Sequence, residues 1–196
     1  MKNLQFVPST RRVTLLISVA LLCHGCGLET GSNGTGEGGE ADLFALVDNE
    51  HWLVLDEDAD PFRDERPEFV DCPPWAHVEE NNALEIDTGA CNYVSLSQPI
   101  LTGINAGDTV ELSLWHDALV ASEPGVAHVA LALGEDVIWE IEPNIPSTPH
   151  AYRPRIQIIG SYATGTPIVF HLHNHGSNNW RLLTVSVERT LVTPVP

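Results

Sequence analysis

The sequence predicts an all-β fold, an antiparallel β-sandwich of jelly-roll type carried behind a signal peptide and a flexible linker. Three observations point there. Short runs alternate apolar and polar residues with period two. Turn residues, among them Pro99, Pro124, Pro143, Pro146, Pro149 and Pro167, separate these runs. No segment keeps a helical period for more than two turns.

In chain order, residues 1–25 read as an export signal. Lys2, Arg11 and Arg12 make a basic front, and residues 13–22 are apolar apart from Thr14 and Ser18. That run is shorter than the roughly 20 residues a membrane-spanning helix needs. Residues 26–41, rich in Gly, Ser, Thr and Glu, have nothing to bury and form a linker. Residues 42–70 form an acidic N-terminal segment with two short apolar pieces, residues 43–47 and 52–55. Residues 71–190 carry the sandwich domain.

Within that domain, residues 109–115 follow an Ala106-Gly107-Asp108 turn and alternate cleanly, with Val110, Leu112 and Leu114 on one face. Residues 127–133 alternate again, and Gly134-Glu135-Asp136 turns the chain into residues 137–141, a hairpin signal. Residues 155–159, 168–173 and 182–187 are further strands.

Charge and cysteine usage narrow the function classes. Beyond the signal, 27 acidic residues stand against 6 arginines and no lysine, a balance of about −21. With no basic patch, nucleic-acid binding is excluded. Cys23 falls in the signal and Cys26 directly after it. Cys72 and Cys91 remain as an even pair, expected to form a disulfide in an oxidising compartment and to contribute about 3 kcal/mol.

Several constellations are candidates for chemistry. On a strand His171 and His173 share a face, and His116 and His128 lie on strands that can neighbour theirs. Imidazoles so placed are candidate ligands for zinc or copper. The same residues also read as ordinary packing: His116 continues the apolar phase of its strand. The run Asp56-Glu57-Asp58-Ala59-Asp60 offers carboxylates to calcium. Pro61 and Pro67 stand where an EF-hand needs glycine and glutamate, so only a non-EF site or a solvated acidic segment remains. Of five tryptophans, Trp115 takes the polar phase of its strand and is the candidate ligand-binding residue. No catalytic signature is present, neither GxSxG, HExxH nor a phosphate-binding loop after a strand.

Three resemblances follow from particular residues. Leu22-Cys23-His24-Gly25-Cys26 resembles the bacterial lipoprotein signal, with Gly25 and Cys26 in pattern and Cys23 and His24 departing from it. That resemblance implies lipidation at Cys26 and a membrane anchor. Gly27 after the cysteine implies an outer-membrane or cell-surface location. Gly165 followed by His171 and His173 resembles the opening of the cupin metal motif. Ser177 and Asn178 occupy the positions of its glutamate, so a standard cupin enzyme is rejected. Residues 82–189 resemble an uncharacterised domain of bacterial surface lipoproteins, on EIDTGACNYVSLSQP, GDTVELSLWH and FHLHNHGSNNW. Their strand plan is similar to galactose-binding-like and carbohydrate-binding jelly rolls. Together these imply an exported, noncatalytic binding or structural module of the cell envelope with a carbohydrate or envelope partner. A metal-binding protein or metal-dependent enzyme built on His171 and His173 is the alternative.

Overall fold

In the computed structural model, residues 41–190 are described. Cys26, the expected signal and the expected linker lie outside them. The described strands are β1 (Ala41–Ala45), β2 (Leu53–Val54), β3 (His77–Glu80), β4 (Ala83–Asp87), β5 (Tyr93–Pro99), β6 (Thr109–His116), β7 (Gly125–Val126), β8 (His128–Leu133), β9 (Asp136–Ile141), β10 (Asn144–Ile145), β11 (His150–Tyr152), β12 (Arg155–Gln157), β13 (Pro167–His173) and β14 (Asn179–Thr190). The only helical pieces among the described residues are three short 3-10 turns. The all-β, antiparallel sandwich is therefore present as expected.

One sheet has seven strands. Its spine is β11-β6-β14-β4-β3, with β12 continuing beside β6 and β1 beside the far half of β14. A second has five, in the order β2-β5-β13-β8-β9, and β7 and β10 pair as a separate two-stranded ribbon. Every pairing is antiparallel. The alternation in sequence sets which face packs. Val110, Leu112 and Leu114 of β6 meet Ile168, Phe170 and Leu172 of β13 in one core, together with Leu84, Ile86, Leu131, Leu133, Trp180 and Leu182. Fully burying such a side chain is worth about 1.5–3 kcal/mol each, so this layer holds the two sheets together. The hairpin expected after β8 is present, with Gly134 at φ +62°, a conformation that favours glycine.

The acidic segment 42–70 is not set apart from the sandwich. Its start supplies β1 to the larger sheet, and residues 53–54 supply β2 to the smaller. Its acidic run then crosses the outer face of the smaller sheet as a strap. Asp60 and Phe62 are both buried there. The Asp60 carboxylate accepts from the Tyr93 hydroxyl at 2.6 Å and from the Phe62 backbone N–H at 2.9 Å. A buried carboxylate needs such partners. The run is thus anchored to the sheet at Asp60 while residues 56–59 stay exposed, and among the described residues no three His, Cys, Asp or Glu side chains are grouped to hold a metal ion.

Cys72 and Cys91 are disulfide-bonded, as the even count predicts. The bridge fixes the end of the strap to the approach of β5. Asn92 reinforces it, with its side-chain amide donating to the Phe69 carbonyl and its side-chain oxygen accepting from the Asp71 N–H, both at 2.8 Å.

Candidate ligand-binding face

Of the four candidate histidines, His128, His171 and His173 share one face and His116 stands apart from them. His116 belongs to the larger sheet and points into the core, buried at 1% exposure. Its ring lies 4.5 Å from that of Trp180, and its Nδ1 is 2.7 Å from the Asp117 carbonyl. It is a packed core histidine, the ordinary reading of its apolar phase. Burial holds its pKa below the usual histidine value.

His128, His171 and His173 lie on the smaller sheet, facing outward under the strap. His173 sits opposite His128 across the β13–β8 pair, and the rings of His128 and His171 are 5.2 Å apart. The His171 ring stacks on Phe62 at 4.6 Å, and its Nδ1 is 2.9 Å from Ser95 Oγ. Burial pushes His171 down to about 3 and, with the neighbouring His175 and His128, pushes His173 down to about 4. Both rings are neutral at pH 7. Phe62 covers this patch together with Ala130, Ala132, Val169 and Leu55. One ring nitrogen of His171 is engaged by serine, its ring face is occupied by Phe62, and His116 is in the other sheet. Among the described residues no three His, Cys, Asp or Glu side chains are grouped to hold a metal ion, so the predicted zinc or copper set is corrected: His128, His171 and His173 line a second, smaller packing layer.

The outer face of the larger sheet is different. Alternation along β6 sends Glu111, Ser113 and Trp115 outward while their neighbours fill the core. On β14, Arg181 stands opposite Trp115 and Thr184 opposite Ser113, with a bulge at Leu183 between them. The bulge turns Leu183 outward, 39% exposed. On the edge, Ala151 of β11 stands opposite Trp115 and Arg155 of β12 opposite Glu111. The same register carried through residues 153–154 places Arg153 opposite Ser113. Pro154 has no N–H and interrupts the ladder there, while its carbonyl still accepts from Leu112 N–H.

The result is a shallow trough. Trp115 forms one wall, half-buried, with the Arg181 guanidinium 4.8 Å from its ring centroid. Arg181 is also paired with Glu85, so the tryptophan is held in place from the β14 side. The far wall is Arg155, paired with both Glu111 and Glu188. Between the walls lie the small side chains of Ser113 and Thr184. A depression of about 400 Å³ is lined by Ser113, Trp115, His150, Ala151, Arg153 and Leu183. It runs on into a second of about 360 Å³ that shares Ser113 and Arg153.

Trp115 is thus placed on the surface, as its polar phase predicts. Of the other tryptophans, Trp180 is fully buried, Trp52 and Trp139 pack against the core, and Trp75 is 65% exposed beside the disulfide. Sequence reading did not pick out Ser113, Arg153 or Leu183 as lining residues. Ser113 was available from the alternation around Trp115. Arg153 was not, because β11 and β12 are three residues each and are framed by prolines.

No family model matches this chain, and no curated protein matches it. Among solved structures it is similar to a CBM4 structure, with TM-score 0.44, 14% identity, and coverage of 80% of this chain and 97% of that one. It is similar to a carbohydrate-binding module described for specific mannan recognition, with TM-score 0.45, 10% identity, and coverage of 76% and 98%. A carbohydrate-binding module of family 29 gives TM-score 0.39 and 11% identity over 80% and 100%. These likenesses are weak, and no residue role on this chain rests on them.

Proposed function

We propose that this protein is a noncatalytic binding module whose trough on the larger sheet takes a carbohydrate chain. The observation that carries this reading is Trp115, an aromatic face held by Arg181 at the wall of an open trough whose floor is Ser113 and Thr184. An indole face offers apolar area to the C–H face of a sugar ring, and nearby hydroxyl and guanidinium groups hydrogen-bond its periphery. The trough is open along the sheet and suits a chain rather than an enclosed small molecule. Around it the sandwich supplies a rigid support, which limits the entropy lost on binding.

The second part of the proposal concerns where this happens. The signal-like front, Cys26 and the linker support an exported module tethered to the bacterial envelope through a lipid on Cys26, with the sandwich held clear of the membrane.

Retention of the protein on immobilised polysaccharides tests the first part. A subset of glycans is expected to retard it, and Trp115→Ala is expected to weaken retention about thirtyfold or more, the scale of an aromatic anchor at the centre of a binding surface. Retention unchanged by Trp115→Ala, or no retention on any glycan, overturns the reading. Metabolic labelling with an alkyne fatty acid tests the second. Label is expected on the full chain and not on Cys26→Ser; equal labelling of both overturns the anchor.

A further inference from the structure

We propose that the trough selects a carboxylate-bearing saccharide, a uronate chain, and that Arg153 reads the carboxylate. This inference rests on the binding role proposed for the Trp115 face and adds the ligand class.

Arginine is scarce here and its placement is uneven. Three of the six arginines beyond the signal, Arg153, Arg155 and Arg181, project from this one face. Arg155 is committed to Glu111 and Glu188, and Arg181 to Glu85. Among the described residues Arg153 enters no ion pair and donates no side-chain hydrogen bond, and it is exposed. Its cross-strand neighbour is Ser113, a small hydroxyl, so its guanidinium is not drawn to a carboxylate across the ladder. Arg63, also without an ion pair, differs: it stands in the acidic strap among Asp58, Asp60 and Asp64.

On this face Arg153, Arg155 and Arg181 stand against Glu85, Glu111 and Glu188, with Asp117 and Glu80 also close enough to act on Arg181. The chain is strongly acidic, and Arg153 is the uncommitted cation at the trough's edge. At physiological salt, charges beyond about 8 Å are largely screened, so a bound anion responds to this local balance rather than to the net charge. A planar guanidinium matches a carboxylate with two parallel hydrogen bonds. Arg153 lies diagonally next to Trp115, two positions along from Ala151. Diagonal cross-strand neighbours are about 7–8 Å apart, still within reach of long side chains. A pyranose ring stacked on Trp115 thus has its carboxylate substituent within reach of the Arg153 fork.

The test measures binding of the full-length protein to a panel of oligouronates, made of galacturonate, glucuronate, mannuronate and guluronate units, and to their carboxyl-reduced neutral counterparts. At least one oligouronate is expected to bind about tenfold or more tightly than its neutral form, the scale of a charge-assisted hydrogen-bonded pair. Arg153→Gln is expected to erase that preference, so that the acidic and neutral forms bind equally. Trp115→Ala is expected to weaken both. Equal binding of both forms, lost in Trp115→Ala, overturns the uronate inference and leaves the carbohydrate reading standing. An acid preference that survives Arg153→Gln overturns the role of Arg153. Binding of neither form, together with failure of the polysaccharide screen above, removes both readings.

Discussion

The two outer faces of the sandwich are built by the same alternation and end in opposite states. On the smaller sheet, His128, Ala130 and Ala132 of β8, with Val169, His171 and His173 of β13, point outward, and the strap closes over them with Phe62 at its centre. On the larger sheet, Trp115, Ser113 and Leu183 point outward, and none of the described residues crosses them as a strap. Residue type alone does not separate the two. Histidines lie on both sheets, and the chemically conspicuous run Phe170-His171-Leu172-His173 is on the covered face. What separates them is cover. On the covered face Tyr93 donates to Asp60, Ser95 meets His171 and Phe62 stacks on the His171 ring, while His128 Nδ1 and His171 Nε2 are buried without a hydrogen-bond partner. The open face keeps an uncommitted guanidinium and an aromatic ring with one side available. A face closed by a packed side chain contributes stability, whereas exposed groups held in place by neighbours are available to a ligand.

Phe62→Ala tests this distinction most severely. If the strap is a packing layer, losing its central side chain costs about 3 kcal/mol or more of unfolding free energy, the usual range for a buried phenylalanine. Urea unfolding measures it. Glycan retention by the folded fraction is expected to stay the same. A small loss of stability with a gain in glycan binding would instead make the strap a movable cover over a second site. The disulfide offers the next test, because Cys72–Cys91 closes the end of the same strap. Replacing both cysteines with serine is expected to cost about 3 kcal/mol and to speed proteolysis between residues 56 and 72. The Trp115 trough, on the other sheet, is expected to keep its ligand affinity.

Much of the fold was legible because alternation is a local signal. Residues 109–115, 128–133, 137–141 and 168–173 all lie in strands whose inward residues are the apolar ones. The strands that escaped, such as β2, β7, β10 and β11, are two or three residues long and carry too little pattern. The strap escaped for a different reason. Asp60 looks like any other member of an acidic run, and only Tyr93, 33 residues away, distinguishes it. The same limit applied to the histidines. Period two correctly put His171 and His173 on one face, but it carries no information about Phe62 arriving from a distant segment to occupy that face. Trp115 was legible because a large aromatic in a polar phase is a local anomaly. Arg153, its neighbour through strand pairing, was not.

The covered histidines also give the faces different responses to acid. His171 has a folded pKa of about 3 against an ordinary 6.5, because burial disfavours the imidazolium. A lowered folded pKa means that the unfolded chain binds the extra proton first. The associated stability is complete above pH 6.5 and is lost as pH falls towards the folded value. At about 1.4 kcal/mol per pH unit, His171 alone removes roughly 2 kcal/mol between pH 7 and 5. His173 acts in the same direction, with a smaller contribution because it is half-exposed. Urea midpoints at pH 7 and pH 5 are expected to differ less in His171→Gln than in the natural chain. An equal pH response in both would show that His171 is not the buried neutral group inferred for the covered face.

The smallest expected stability effect is the most discriminating for function. Trp115 packs one face on Arg181 and leaves the other to the trough, so Trp115→Ala removes little buried apolar area. Its cost is expected to be about 1 kcal/mol or less. Trp180, opposite His116 in the same sheet and fully buried, is the internal control: Trp180→Ala is expected to cost about 3–5 kcal/mol. Two tryptophans one ladder step apart on neighbouring strands then sort cleanly, one by stability and the other by ligand affinity. A loss at Trp115 as large as that at Trp180 would mean that the indole supports the sheet rather than a ligand. The open face would then lose the feature that separates it from the covered one.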